Sequence, residues 1–165
     1  MDSVIVFVAQ YFLYLAVLVT ALYWLRATTP VKIELIGRFV FGGVIALTLA
    51  SVASRLYYDP RPFVSDHVAP LFAHAPDNGF PSDHALFTSF LGLTIVSYSR
   101  RVGAVLLVIA VAVSAARVAA HVHHPIDVLG SFVFSGVAAI IAARLSRTKM
   151  MSALTARLSR GSRPS

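Results

Sequence analysis

Three histidines, an arginine and an aspartate fall within the eleven residues from Arg117 to Asp127, which read R-V-A-A-H-V-H-H-P-I-D. Two further short stretches carry groups that could work with them: Asp59-Pro60-Arg61-Pro62 and Pro81-Ser82-Asp83-His84. If Pro125 opens a helix, a position suited to proline, Asp127 lies in its first turn and His123 just before it. A carboxylate so placed accepts a hydrogen bond from one imidazole nitrogen. It fixes the tautomer and makes the other nitrogen a better base or nucleophile. Arg117 precedes His123 by six residues, and its guanidinium can fork onto phosphate oxygens. Arg61 sits between two prolines that stiffen its backbone. His84 opens a helix whose free N–H groups and positive end suit an anion, and Ser82 adds a hydroxyl donor. Two arginines, a helix start and two histidines suit phosphoryl transfer through a phosphohistidine, with the second histidine protonating the leaving oxygen.

Other chemistries fit less well. His84, His121, His123, His124, Asp83 and Asp127 could ligate zinc, but two arginines beside a metal are electrostatically awkward unless a phosphate bridges them. No cofactor is expected. A transporter or lipid-binding protein would carry charges at mid-membrane, whereas the apolar runs here are nearly free of charge in their middles. A plain cap of polar residues at the helix ends would not explain the arginines. His121 and His124 are expected to be loop residues, as are solvated His67 and His74. Asp83 either caps its helix or tunes His84.

The elements that must bring these stretches together are membrane helices. The 165 residues are 58% hydrophobic and 13% charged, against about 25% charged in a soluble domain. The net charge of +7 does not point to nucleic acid, because the basic residues sit at the ends of apolar runs without interleaved aromatics. There is no cysteine, hence no disulfide, thiolate nucleophile or cysteine metal site. Apolar runs at Val4–Leu25, Ile36–Leu56, Ser82–Tyr98, Val102–Ala120 and Pro125–Ala143 predict an all-α bundle of five spans, the third at the short limit for a crossing of about 20 residues. The first run starts with Asp2 and no basic residue, and is read as a retained helix rather than a signal peptide. A polar connector is expected from Arg26 to Lys32, and a tight turn at Gly103. The Gly42-Gly43 pair favours close helix packing. Four prolines between Tyr57 and Phe80 exclude a continuous helix there, and the apolar piece Val68–Ala73 suits the interface. The domain is placed at residues 1–143, with a basic tail over 144–165 whose leucine and methionine spacing suits an anionic membrane face.

Alternating sides then group Arg26, Lys32, Arg38, Arg100, Arg101 and the six basic residues of the tail, leaving Arg55, Arg61 and Arg117 on the other side. The positive-inside rule makes the first side cytoplasmic. The N-terminus, the long loop and all six histidines fall outside, and the C-terminus inside. The three arginines that break the bias lie near the three polar stretches, as expected if they serve an anionic ligand.

Arg61-Pro62, then Pro81-Ser82-Asp83-His84, then Arg117 with His123 and Asp127 at fixed intervals, resemble the phosphatidic acid phosphatase type 2 superfamily. Its signatures read K-x6-R-P, P-S-G-H and S-R-x5-H-x3-D. The resemblance covers about Arg38 to Ala143. It implies a metal-independent lipid phosphate phosphatase with His123 as nucleophile, Asp127 as its orienting partner and His84 as general acid. Arg61, Arg117, Ser82 and backbone N–H groups would hold phosphate. Three positions depart from the signatures. Ser54 occupies the lysine position, with Arg55 one residue away as a substitute. Ala116 replaces the serine before Arg117. Asp83 replaces glycine, adding a further residue at the phosphate end. The P-S-D-H variant is similar to bacterial undecaprenyl-diphosphate phosphatases of the bacitracin-resistance type. That resemblance implies a lipid diphosphate substrate at the outer face of a bacterial plasma membrane, and service to the lipid carrier of the cell wall. A glycerophospholipid phosphate is the alternative substrate.

Overall fold

A computed structural model describes residues 1–146. Six helices form: α1 (Asp2–Arg26), α2 (Thr29–Leu56), α3 (Pro62–Ser65), α4 (Asp83–Ile95), α5 (Arg100–Ala119) and α6 (Pro125–Ser146). Among the described residues there is no strand, only a single bridge between Pro60 and Asn78. Four helices, α1, α2, α5 and α6, are long and apolar enough to cross a membrane, and the chain is a multi-pass membrane protein. Its surface agrees. Val44, Leu47, Val108, Leu129 and Val133 are each about 60% exposed or more, which a water-facing protein avoids as a contiguous band.

The third predicted span is shorter than expected. The 13 residues of α4 rise about 20 Å, short of the ~30 Å hydrocarbon core. It packs against α1, α2, α5 and α6, with nine of its residues buried. Two apolar clusters surround it. Ala16, Leu35, Leu91, Ile95, Leu106, Ile109 and Val113 form one, and Ala46, Ala50, Leu86, Phe90 and Ala138 the other. Hydroxyl contacts add to this packing: Ser89 and Ser135 join α4 to α6 at 2.8 Å. Small polar residues of this kind let membrane helices approach closely while remaining satisfied. Gly42 likewise lies against Phe90 and Ala142.

Two expected connectors are corrected. The polar stretch after α1 is helical from Thr29, because Pro30 occupies the first turn, where its missing N–H costs nothing. The turn between α4 and α5 is Val96–Ser99, with the Ser99 hydroxyl accepting from the Val102 N–H. Gly103 lies within α5. Its hydrogen in place of a side chain lets Val96 approach, since a Cβ there would sit 2.4 Å from the Val96 Cα. Arg144–Ser146, expected to open the tail, belong to α6. The remainder of the expected basic tail lies outside the described residues.

Candidate active site

The C-terminal ends of α2 and α5, the N-terminal ends of α4 and α6, and the long loop between α2 and α4 meet at one end of the bundle. The chain turns from α5 to α6 through His121, whose φ of 58° lies in the left-handed region that histidine tolerates better than most residues. His123 follows. It is 3% exposed, and Asp127, two residues into α6, is fully buried. The Nδ1 of His123 lies 3.1 Å from Asp127 Oδ2. With Nδ1–H donating to that carboxylate, Nε2 carries the lone pair. Nε2 faces two guanidiniums: Arg61 Nη1 and Arg117 Nη2, each at 3.3 Å. Burial, then the charges of Arg117 and Arg61, push the His123 imidazole down to about 2 from 6.5. It stays neutral at ordinary pH, as a nucleophile requires.

The arginines are held differently. Arg61 caps the short helix α3. Its Nε donates to Asp77 at 2.6 Å and its Nη1 to the Val122 carbonyl at 2.7 Å, which ties the long loop to the segment carrying His123. Arg117 is 3% exposed but has no carboxylate within ion-pair distance among the described residues. It donates weakly to the Ala9 carbonyl at 3.4 Å and faces His74 Nε2 at 3.2 Å, and its Nε has no hydrogen-bond partner. Ser82 caps α4 and is fully buried, yet its hydroxyl also lacks a partner. Buried polar atoms are rarely left so. An anion between Arg117 and the start of α4 would satisfy both. His84, in the first turn of α4 and half-buried, is close enough to feel the charges of Arg117, His123 and His74.

Between α1, α2 and α4 an apolar groove of about 920 Å³ runs from this end toward Trp24 and Ile36. Gly43, Val44, Phe87 and Phe90 line it, and Asp83 stands at its rim. The groove exists because α1 packs mainly on α5 and α2 mainly on α6, while the two touch each other little.

The PAP2 superfamily model matches residues 35–151. The chain belongs to the PAP2 superfamily. It is 28% identical over 146 residues to undecaprenyl-diphosphatase BcrC of Bacillus subtilis (strain 168), covering 88% of this chain and 75% of that protein. It is 33% identical over 129 residues to the bacitracin transport permease protein BcrC of Bacillus licheniformis, covering 78% of this chain and 63% of that one. The crystal structure of Aquifex aeolicus LpxE shares the fold, with a TM-score of 0.65, 22% identity and 87% of each chain covered. A transmembrane PAP2-type phosphatidylglycerolphosphate phosphatase from Bacillus subtilis superposes with a TM-score of 0.50 and 20% identity, covering 88% of this chain and 83% of that one.

Of the residues named from sequence, His123, Asp127, Arg61, Arg117, Ser82 and His84 are brought together at this end of the bundle. Arg55 and Asp83 are exposed and make no hydrogen bond or ion pair among the described residues. Asp83 lines the groove and is close enough to Arg117 for its charge to act on that guanidinium. His74 and His124 are loop residues, as expected, but both have partners in the cluster. His74 is half-buried, contacts Arg117, and stacks edge-on to His123 at 6.3 Å. Burial and the Arg61 charge hold its imidazole below the usual range. His124 donates its backbone N–H to Asp127 Oδ2 at 2.9 Å and pairs its Nδ1 with Asp59 Oδ2 at 3.0 Å. Asp59, His124 and Asp127 offer ligand atoms within 4.8 Å of one another, the one grouping among the described residues that could hold a metal. Its Asp127 oxygen lies at the Nδ1 of His123. His67, in contrast, is exposed, as expected.

Proposed function

We propose that this protein hydrolyses a polyprenyl diphosphate, undecaprenyl diphosphate in particular, to the monophosphate, and so serves the lipid carrier of the bacterial cell wall. The observation that carries the reading is the two-sided grip on His123: a carboxylate at Nδ1 and two guanidiniums at Nε2. A terminal phosphate taken up by Arg61 and Arg117 would lie against the nitrogen that carries the lone pair. The name of the Bacillus subtilis relative supports the substrate.

In this mechanism His123 Nε2 attacks the terminal phosphorus. The N–P bond forms as the bridging P–O bond breaks, and the leaving lipid monophosphate takes a proton from His84. Water then attacks phosphorus, gives a proton to His84, and the N–P bond breaks. The incoming phosphates reverse the local charge between the guanidiniums and favour the protonated form of His84. Asp127 offsets the positive charge that develops on His123. Arg117, Arg61, the Ser82 hydroxyl and the N–H groups at the start of α4 hold the transferring oxygens. Nothing in this sequence of steps requires a metal ion. The apolar groove suits the first part of the lipid tail, since it reaches Asp83 at the start of α4 and about 16 Å of α2, from Ile36 to Leu47, lines it. The placement is the outer face of a bacterial plasma membrane, supported by the gathering of six of the nine described Lys and Arg residues at the opposite end.

Phosphate release from undecaprenyl diphosphate with a chelator present, wild type beside His123→Ala, tests the reading. Wild type should turn over and the variant should lose on the order of a thousandfold or more. Release from phosphatidylglycerol phosphate alone would overturn the substrate, and a fully active variant would overturn the mechanism.

A further inference from the structure

Asp59 has no part in the mechanism above, yet the structure holds it with care. Its backbone N–H donates to Asn78 Oδ1 at 2.9 Å, and its carbonyl accepts from the Gly79 N–H at 2.8 Å. The same Asn78 side chain donates to the carbonyls of Ser54 and Tyr57 at the end of α2. Gly79 permits the close approach, because a Cβ there would lie 2.9 Å from Asp127 Oδ2 and 3.1 Å from the Asp59 carbonyl. The Asp59 side chain is 15% exposed and meets His124 Nδ1 at 3.0 Å, while Asp66 approaches His124 Nε2 at 3.6 Å. The His124 backbone N–H in turn donates to the oxygen of Asp127 that faces His123.

We infer that Asp59 is a positioning residue that works through His124 and Asp127 to hold the His123 imidazole in line for attack. The inference rests on the phosphatase reading only in naming what the alignment serves. Two geometric arguments support it. First, His123 and His124 are consecutive, so fixing the His124 ring between Asp59 and Asp66 also fixes the peptide that presents the nucleophile. Second, an Asp59 carboxylate oxygen, a His124 ring nitrogen and an Asp127 carboxylate oxygen lie within 4.8 Å of one another. Two neighbouring carboxylates require a positive or hydrogen-bonding group between them, and the described groups facing them are His124, His123 and Arg61. Holding His124 in that place keeps Asp127 an anion directed at His123 Nδ1–H.

A double-mutant cycle separates positioning from simple structural support. Asp59→Ala should lower kcat about tenfold with KM within about twofold, the scale of one hydrogen bond to a charged group. Asp59→Asn keeps an acceptor for His124 and should recover part of that loss. In an Asp127→Asn background, where the group Asp59 acts through is already neutral, Asp59→Ala should cost less than about twofold. An equal tenfold loss in both backgrounds, or an unchanged kcat in Asp59→Ala, would overturn the inference. The His123 Nδ1–H proton resonance of the full-length protein in detergent reads the same contact without turnover. It should move in Asp59→Ala, and an unmoved resonance would also overturn the inference. A wild type that releases no lipid phosphate, with the resonance still moved in Asp59→Ala, would sink the reaction and leave the clamp standing.

Discussion

Arg38 and Arg117 are both buried, 6% and 3% exposed, at opposite ends of the same bundle, and they are treated in opposite ways. Arg38 is saturated. Its Nη2 donates to Glu34 at 2.8 Å, its Nη1 to Ser97 at 2.8 Å and its Nε to Ser146 at 3.0 Å. Its guanidinium also lies 4.7 Å over the Tyr98 ring. One side chain thereby ties α2 to the α4–α5 turn and to the end of α6. Arg117 has a distant carbonyl, two imidazole nitrogens and an Nε with nothing. A buried cation without an anion is costly. The difference teaches that burial of charge serves two purposes in this fold. At one end it fastens helices, and at the other it leaves donors open, as the proposed anionic substrate requires.

Several substitutions would break or sharpen that contrast. Arg117→Ala should lower kcat/KM about a hundredfold, as loss of a donor to developing charge does. Arg117→Lys should recover little, because an ammonium lacks the planar fork. Steady-state assays in detergent decide this, and full activity in Arg117→Lys would mean that only charge is used. Arg38→Ala should do the reverse. It should lower thermal stability by about 2 kcal/mol by stranding Glu34 and two hydroxyls, while the folded protein keeps its kcat/KM. A loss of kcat without a loss of melting temperature would erase the distinction between the two ends.

Acid should act on the site end. Free imidazole titrates at 6.5, and folding holds His123 down to about 2. Between those values the unfolded chain binds a proton that the folded protein does not. The stability contribution is therefore complete above 6.5 and is lost progressively as pH falls through that window. His74 shifts in the same direction. Melting temperatures measured from about pH 7.5 down to about pH 5 should fall, and His123→Asn should flatten part of that slope. An unchanged slope in the variant would contradict the neutral buried imidazole. The smallest effect is expected at Arg55. Being exposed and without a partner among the described residues, Arg55→Ala should change kcat/KM less than about threefold. A larger loss would give it the role of the missing motif lysine.

How much of this was legible in the sequence divides along the same line. The candidate cluster was legible because its members sit at helix ends, where a motif has a fixed local geometry: His123 and Asp127 flank Pro125, and Ser82 and His84 flank the start of α4. The helices were legible from long apolar runs, although α4 is shorter than its run because neighbouring helices, not lipid, cover its ends. Gly103 was misread because a glycine needed for close packing against Val96 looks the same in sequence as one needed for a turn. His74, Asp59 and His124 were missed for a different reason. Their partners lie 43 residues away at Arg117 for His74 and 65 residues apart for the Asp59–His124 pair, across a proline-rich loop with no periodicity to read. The signal available was only that Asp59 and Asn78 border that loop. Arg38 had been grouped with the cytoplasmic charges, and nothing in the sequence showed that Ser97 and Ser146 would converge on it.

The central claim is that His123 Nε2, gripped between two guanidiniums and an oriented carboxylate, becomes phosphorylated. The direct measurement is rapid quenching of the full-length protein in detergent during turnover of lipid diphosphate labelled in the terminal phosphate. Wild type should carry acid-labile, base-stable label on His123, increased when Asp127→Asn or His84→Ala slows the second step, and His123→Ala should carry none. Phosphate release at the normal rate with no label on His123 under any of these conditions would contradict the account.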